Sequence, residues 1–176
     1  LGNVIDPFEL VKKYGTDAVR YYLLREIPPT EDGDFTYEKF EARYNSDLAG
    51  GIGNLVARVL GIAGNIETKE KTLPTGRQAT KKTNERIKKT KKDYRLAIER
   101  FRLNKALTVV WELISYCDKY INNEKLWETK KPEVINDLFY TLDEISILLL
   151  PFLPETAEKI KKAIKEKKSE ILFPRV

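Results

Sequence analysis

Apolar residues recur at steps of three or four along one long stretch of the chain, from about residue 36 to residue 66. This spacing places side chains on one face of an α-helix, so the sequence predicts a long helix here. Its apolar positions are Phe40, Tyr44, Leu48, Ile52, Leu55, Val59, Ile62 and Ile66. We call this element the central helix and expect the rest of the chain to be organised around it.

A second stripe of small and polar residues falls on the opposite side of the central helix. Its members are Asp47, Gly50, Asn54, Arg58, Gly61 and Asn65. Asn54 and Arg58 lie one turn apart, and an amide and a guanidinium that face the same way can hydrogen-bond a planar partner. The alternative is a solvated helix face with Arg58 in a surface ion pair. Because each glycine costs up to ~1 kcal/mol inside a helix, the glycines from Gly50 to Gly61 predict the close approach of another helix or a ligand.

The first part of the chain has the same helical spacing in shorter stretches. Asp6 and Pro7 suit the N-cap and first position of a helix. The residues predicted for its inner face are Phe8, Leu10, Val11 and Tyr14. A second helix runs from Thr16 to the prolines at 28 and 29, and a polar turn follows. We interpret residues 1–34 as a small helical module.

Residues 35–176 are predicted to form a helical bundle, so the fold class is all-α. The periodic pattern disappears between about residues 67 and 82, which indicates an exposed linker. Further helices begin near Thr83 and Leu103 and at Pro132 and Pro154, and no convincing pair of strands is present.

The amino-acid composition argues against several classes of catalytic and metal-binding site. The chain has 176 residues, of which 41% are hydrophobic and 34% are charged, as in a soluble globular protein. It has no histidine, which removes the usual general base and the histidine-containing zinc sites, and no acidic cluster has metal-ligand spacing. We therefore expect no catalytic residue and no metal site. The single cysteine, Cys117, cannot form an internal disulfide, which fits a reducing compartment. It lies on an apolar helix stripe, so we expect it to be buried as a small hydrophobic residue. The absence of methionine and the opening Leu1-Gly2-Asn3 are typical of a piece of a longer protein.

Basic residues exceed acidic ones by 32 to 27, which permits a polyanionic partner. Eight of them lie between Lys81 and Arg95, opposed there only by Glu85 and Asp93. Such a run is either the solvated side of a helix or a surface that faces phosphates. In the second case Lys88 and Lys92 are the phosphate contacts that we expect.

Trp127 lies in a polar stretch, Glu124–Lys131, and has charged or polar neighbours on nearly every side. Two interpretations remain open at this point. The indole is either turned back into the core or held out as a platform on which a base can stack.

Several segments together resemble methionyl-tRNA synthetases, a family of class I aminoacyl-tRNA synthetases. The resemblance rests on LGNVIDP at residues 1–7, YGTDAVRYY at 14–22, EDGDF at 31–35, RYNSDLA at 43–49, GNLVAR at 53–58, PETAEKI at 154–160 and LFPR at 172–175. It implies that residues 1–34 are a stem-contact module that follows the catalytic core. It also implies that residues 35–176 are the anticodon-binding helical bundle.

The same resemblance implies site residues. Asn54, Arg58 and Trp127 match the family positions that read the CAU anticodon, and the tryptophan stacks on its first base. Two positions depart from the family pattern. Leu126 replaces a common proline, so we expect the backbone that presents Trp127 to be looser. Asn122 replaces an often acidic residue and is a secondary anticodon contact, where we expect weaker charge-based rejection of wrong anticodons.

The resemblance further implies a parent methionine–tRNA ligase that uses ATP with magnesium, and a zinc-bearing insertion, all upstream of these residues. The expected partners are initiator and elongator tRNA(Met) and the protein's own catalytic domain, in the cytoplasm, with no membrane or DNA. Two alternatives stay open. One is the corresponding region of an isoleucine, valine or cysteine enzyme, and the other is a helical interaction bundle that binds an acidic protein.

Overall fold

A computed structural model describes residues 5–27, 33–64, 79–168 and 170–176. In these ranges the chain forms helices and no β-strand, which confirms the predicted all-α class. The helices are α1 Pro7–Tyr14, α2 Thr16–Glu26, α3 Tyr37–Arg43, α4 Asn54–Gly64, α5 Lys81–Glu99, α6 Leu103–Asn123, α7 Leu126–Thr129, α8 Pro132–Leu149 and α9 Pro154–Glu166. Most of the predicted linker falls outside the described residues, and the module boundary near residue 34 stays a prediction.

Proline and capping residues begin helices where the sequence predicts. Pro7, Pro132 and Pro154 each stand at the start of a helix, and the Asp6 carboxylate accepts a hydrogen bond from the Phe8 amide at 2.8 Å. The prediction for the Phe8 side chain is wrong, because it is 81% exposed. Phe8 lies about 200° around the helix from Leu10, so the two cannot share one face.

The central helix is continuous from Tyr37 to Gly64, but its middle is not α-helical. Residues Tyr44–Gly53 form a π-helical segment, in which hydrogen bonds join residues five apart and the turns are wider. The predicted apolar stripe nevertheless faces the core through this segment, because Tyr44, Leu48 and Ile52 are all buried. The π segment therefore sets the rotation at which α4 continues beyond it.

Glycines make the wide turns and a close helix contact feasible. A Cβ atom at Gly50 would lie 2.9 Å from the Asn45 carbonyl oxygen, five residues earlier in the same helix. At Gly51 a Cβ atom would lie 3.4 Å from Nε1 of Trp111 on α6, so the predicted close approach of another helix is present. Gly61 differs, since a Cβ atom there would meet nothing within 4 Å.

The first two helices dock on the bundle through polar contacts from α2. The Asp17 carboxylate accepts hydrogen bonds from the amide and hydroxyl of Thr156, both at 2.7 Å, and thereby caps the N-terminus of α9. Arg20 donates to the carbonyl oxygens of Pro151 and Phe152 at 3.0 and 2.9 Å, in the turn between α8 and α9. Helix α2 is therefore held to the end of the bundle where α8 turns into α9.

A second contact from α2 reaches the π segment. The hydroxyl of the buried Tyr21 donates to Asp47 at 2.5 Å, and Arg43 contacts the same carboxylate oxygen at 3.2 Å. The Trp111 indole donates to the Asp47 carbonyl oxygen at 3.3 Å, and its ring centroid lies 4.5 Å from that of Tyr21. Burial, followed by the neighbouring Asp47 carboxylate, raises the pKa of Tyr21. Asp47 thus joins α2, α6 and the central helix.

We predict that Gly50→Ala destabilises the protein by about 1–3 kcal/mol, because the added Cβ collides with backbone that cannot move aside cheaply. Gly61→Ala is the matched control and should stabilise it by up to ~1 kcal/mol through helix propensity. Urea unfolding followed by circular dichroism measures both. Equal effects at the two positions would contradict a local constraint in the π segment.

We predict that Asp17→Ala costs about 1.5–3 kcal/mol of unfolding free energy, because two buried donors of Thr156 lose a charged acceptor. Asp143→Ala, which removes an exposed carboxylate from α8, should change stability by no more than about 0.5 kcal/mol. Thermal and urea unfolding measure the difference. A loss no larger than that of the control would show that Asp17 does not hold α9.

Candidate nucleic-acid interface

Arg58 on α4 is fixed by two residues of α6. Its Nη1 donates to Oδ1 of Asp118 and its Nη2 donates to Oδ1 of Asn122, each at 2.8 Å. Asp118 and Asn122 are four residues apart on α6, so both face α4 from successive turns. A guanidinium has five N–H donors. Two donate to α6, and among the described residues no further partner is seen for the other donors, which lie on a partly exposed side chain.

Partial burial makes the negative charge of Asp118 beside this guanidinium unfavourable. Burial raises the pKa of the Asp118 carboxyl above its ordinary value, while the Arg58 charge and hydrogen bond act to lower it. The Arg58 side chain is 30% exposed and that of Asp118 is 28% exposed. The pair is therefore neither a mobile surface contact nor a sealed core ion pair. The ion pair foreseen for Arg58 is present, yet its partner leaves the guanidinium within reach of solvent.

Asn54 lies one turn before Arg58 on α4 and is exposed. The structure gives its side-chain amide no hydrogen-bond partner among the described residues. An exposed amide can both donate and accept, whereas a guanidinium only donates. The two side chains together therefore present complementary groups on one face of α4.

Trp127 is held out at the bundle surface on the short helix α7. Its side chain is 49% exposed, and the indole Nε1 donates to the neighbouring Glu128 carboxylate at 3.2 Å. The structure thus excludes a fully buried core role for the indole. Half of its surface remains available to a stacking base.

The backbone around Trp127 is constrained on both sides. Leu126 is fully buried, and Lys125 and Lys130 adopt left-handed conformations with φ of 43° and 44°. The Thr129 hydroxyl also donates to the Glu124 carbonyl oxygen at 2.9 Å. Whether loss of the family proline loosens this backbone stays a prediction. A leucine at 126 anchors the turn by burial, and it follows a left-handed residue that a proline would disfavour.

Three of the predicted positions belong to one connected region. Arg58 contacts Asn122, the Lys125 amide donates to the Asn122 carbonyl oxygen at 3.1 Å, and Trp127 follows two residues later. Sequence reasoning missed Asp118, although its spacing of one turn from Asn122 was visible. The separation of α4 from α6 along the chain hid the contact.

The predicted phosphate contacts are on α5, a different helix from those that carry Arg58, Asn122 and Trp127. Lys88 and Lys92 are exposed on α5 and face one direction, four residues apart. Other cations of the run are engaged, since Lys91 pairs with Glu144 at 2.6 Å and Arg86 with Glu112 at 3.6 Å. The role of Lys88 and Lys92 stays a prediction.

The described ranges contain no group of three acidic or cysteine side chains that could hold a metal ion. Within the same ranges, none of the helices is both long enough and apolar enough to cross a membrane. Cys117 is fully buried, as predicted, and burial raises its pKa to about 12.

Comparisons with known proteins cover nearly the whole chain. The family model "tRNA synthetases class I (M)" matches residues 1–60, and the model "Anticodon-binding domain of tRNA ligase" matches residues 78–174. The chain is 37% identical over 172 residues to a methionine–tRNA ligase of Fusobacterium nucleatum, covering 90% of this chain and 26% of that protein. It is 36% identical over 168 residues to the Thermotoga maritima methionine–tRNA ligase, covering 91% of this chain and 27% of that protein.

The fold has a similar counterpart among solved structures. The crystal structure of free-state Mycobacterium tuberculosis methionyl-tRNA synthetase aligns with a TM-score of 0.80 and 22% identity, covering 99% of this chain and 42% of that one. At that identity the likeness concerns the fold alone, and it confirms the predicted architecture. The chain spans about a quarter of the length of the two curated relatives.

We predict that Lys125→Gly stabilises the protein by about 0.5–1 kcal/mol. Glycine adopts the left-handed conformation without strain, and this gain exceeds the additional backbone entropy that glycine loses on folding. Lys161→Gly, in the exposed interior of α9, should instead destabilise it by about 1 kcal/mol. Urea unfolding distinguishes them. Destabilisation by both variants would mean that the turn before Trp127 is not set by the Lys125 conformation.

Proposed function

This chain belongs to the class I methionyl-tRNA synthetase family and contains its anticodon-binding domain, and we propose that it selects tRNA by reading the CAU anticodon. The observation that carries the proposal is the half-exposed Trp127 indole on a braced turn, next to the α6 end that fixes Arg58. Single-stranded anticodon bases can be unstacked, placed on an aromatic ring and hydrogen-bonded along their pairing edges.

The chemistry of the three side chains suits a cytosine. Its amino group can donate to the Asn54 amide oxygen, and its ring nitrogen and carbonyl oxygen can accept from Arg58. A uracil presents a carbonyl in place of the amino group, so the same arrangement would leave polar groups unpaired. Trp127 supplies stacking that any base could use. We therefore assign binding strength to Trp127 and choice of base to Asn54 and Arg58.

Asn122 acts in this proposal by positioning Arg58. Its amide oxygen accepts from Nη2 without adding a second negative charge beside Asp118. An acidic residue in its place would neutralise the guanidinium more fully and repel a phosphate nearby. Asn122 is thus a secondary contributor to anticodon reading through the orientation of the guanidinium.

The activity of the whole protein follows from the family as a proposal. The parent would be a cytoplasmic methionine–tRNA ligase that joins methionine to initiator and elongator tRNA(Met) with ATP. The resemblance places the ATP, magnesium and zinc sites in its catalytic domain, and no residue described here is assigned to them. This region would hold the anticodon while α1 and α2 connect it to that domain.

The relatives reported above are methionine–tRNA ligases, which favours this assignment over the isoleucine, valine and cysteine enzymes. A helical bundle that binds an acidic protein would use its basic surface without regard to base identity. Binding to RNA hairpins that differ in one anticodon base separates these functions.

We predict that Trp127→Ala weakens binding of a CAU anticodon hairpin by about 1–3 kcal/mol, because one stacked base is lost. Trp127→Phe retains an aromatic face and should lose less. Fluorescence anisotropy with labelled hairpins at one fixed salt concentration measures all three proteins.

A hairpin with UAU in place of CAU provides the control for specificity. The unaltered chain should bind CAU more tightly, and Asn54→Ala should reduce that preference more than Trp127→Ala does. Equal binding of the two hairpins by the unaltered chain would contradict anticodon reading and favour a generic basic surface.

A further inference from the structure

We propose that the crevice between α2, α5 and α6 binds a backbone phosphate of the anticodon stem, an inference that rests on the proposed function. We call it the Arg86 crevice, and it has a volume of about 520 Å³. Its cations come from three different helices: Arg25 from α2, Arg86 from α5 and Lys119 from α6. None of these residues is among the anticodon contacts named above.

Positive charge in the Arg86 crevice is incompletely balanced. Glu112 is the acidic residue of its lining, its side chain is 60% exposed, and its contact with Arg86 is long at 3.6 Å. The Nε atoms of Arg25 and Arg86 are buried, and neither has a hydrogen-bond partner among the described residues. Buried unpaired donors are costly, so these two side chains would gain by turning their donors toward an anion that enters the crevice.

The lining favours a phosphate over a stacked base. The rings of the two aromatic residues already have partners: Trp111 lies against Tyr21, and the Arg86 guanidinium lies 5.9 Å from the Tyr116 ring centroid. The rest of the polar lining is mostly donors: the Arg25 guanidinium, which also contacts the Tyr21 hydroxyl, the Arg86 guanidinium, the Lys119 ammonium and the hydroxyl of the exposed Ser115. Such donors match phosphate oxygens and carry no information about sequence.

The position of the crevice also fits a bound anticodon arm. Ser115, Asp118 and Asn122 follow one another at steps of three and four, so they lie on one face of α6. Ser115 and Asn122 are about 10 Å apart along the helix axis, from a rise of 1.5 Å per residue. That span corresponds to roughly three stacked nucleotides at ~3.4 Å each. A strand whose first anticodon base reaches Trp127 can therefore continue along α6 toward Arg86.

Arg86 lies on a different side of α5 from Lys88 and Lys92. Lys82 and Lys89 lie four residues before and three after Arg86, and so flank it on one face. Lys88 is about 200° away around the helix. The proposal therefore assigns phosphate contact to Arg86 rather than to Lys88 and Lys92.

The first experiment compares Lys119→Gln and Arg86→Gln with the unaltered 176-residue chain, using the CAU and UAU hairpins across a series of salt concentrations. Each lost phosphate contact should lower the slope of log affinity against log salt by about 0.7–0.9. The loss of affinity should be the same for both hairpins, because a phosphate contact does not read sequence. Lys119 is exposed, so its variant leaves the core intact and serves even if Arg86→Gln unfolds.

Lys161→Gln, an exposed lysine of α9, is the matched control for net charge. An equal slope change in this control would mean a long-range charge effect and would overturn the crevice. Unchanged slopes in Lys119→Gln would also overturn it, while the anticodon proposal would stand if Trp127→Ala still loses binding. If the chain binds CAU and UAU equally, the anticodon proposal fails instead, and the slopes still report on the crevice.

The second experiment locates the phosphate. Methylphosphonate linkages, which carry no charge, replace single phosphates of the CAU hairpin one at a time. At one position in the stem, neutralisation should weaken binding by the unaltered chain and by Lys161→Gln but not by Lys119→Gln. Additive effects at every position would overturn a direct contact between Lys119 and the strand.

Discussion

The arrangement of the bundle depends on the π-helical segment in the middle of the central helix. This helix buries Phe40 against α1 and α2, and further along it must bring Arg58 to α6. In the segment between, Asp47 accepts from Tyr21, and the backbone of Gly51 lies close to the Trp111 indole. A straight α-helix of the same length would rotate α4 relative to those contacts, so the wide turns set the direction in which Arg58 points.

Several residues that carry the family resemblance in α2 and α9 have structural roles. Asp17 caps α9, Arg20 binds the turn before that helix, and Thr156 receives the cap. The YGTDAVRYY and PETAEKI segments therefore correspond to the two sides of one docking surface. These contacts fix α1 and α2 to the bundle, so a ligand held by the first two helices would keep a constant position relative to α9.

The sequence predicted the helices well because the residues that begin and end a helix act locally. Asp6, Pro132 and Pro154 act on their own turns, and the periodic apolar residues need no knowledge of their partners. The π segment could not be assigned from the same rule. Its signal was present, however, since three successive steps of four from Phe40 to Ile52 drift by about 120° on an ideal α-helix. Only wider turns keep such a stripe on one face.

The residues of the candidate site could be proposed from the sequence where they share one helix or match the family pattern. The pairing of Asn54 with Arg58 follows from spacing, and Trp127 followed from resemblance. The contacts that orient these groups are long-range, as Arg58 and Asp118 are 60 residues apart in the chain. The anchoring of Trp127 depends on Leu126, whose burial is set by the bundle and not by its neighbours. The Arg86 crevice requires three helices at once, so no local pattern could predict it.

The way Arg58 is held has a consequence for the base recognition that we propose. A free arginine would lose rotamer entropy on binding a base, whereas this guanidinium is already oriented by Asp118 and Asn122. The cost of that orientation arises on folding, and it includes the unfavourable burial of the Asp118 charge. Trp127 is likewise braced before any ligand arrives. A rigid site of this kind gains discrimination because a wrong base cannot be accommodated by a rearrangement of its contacts.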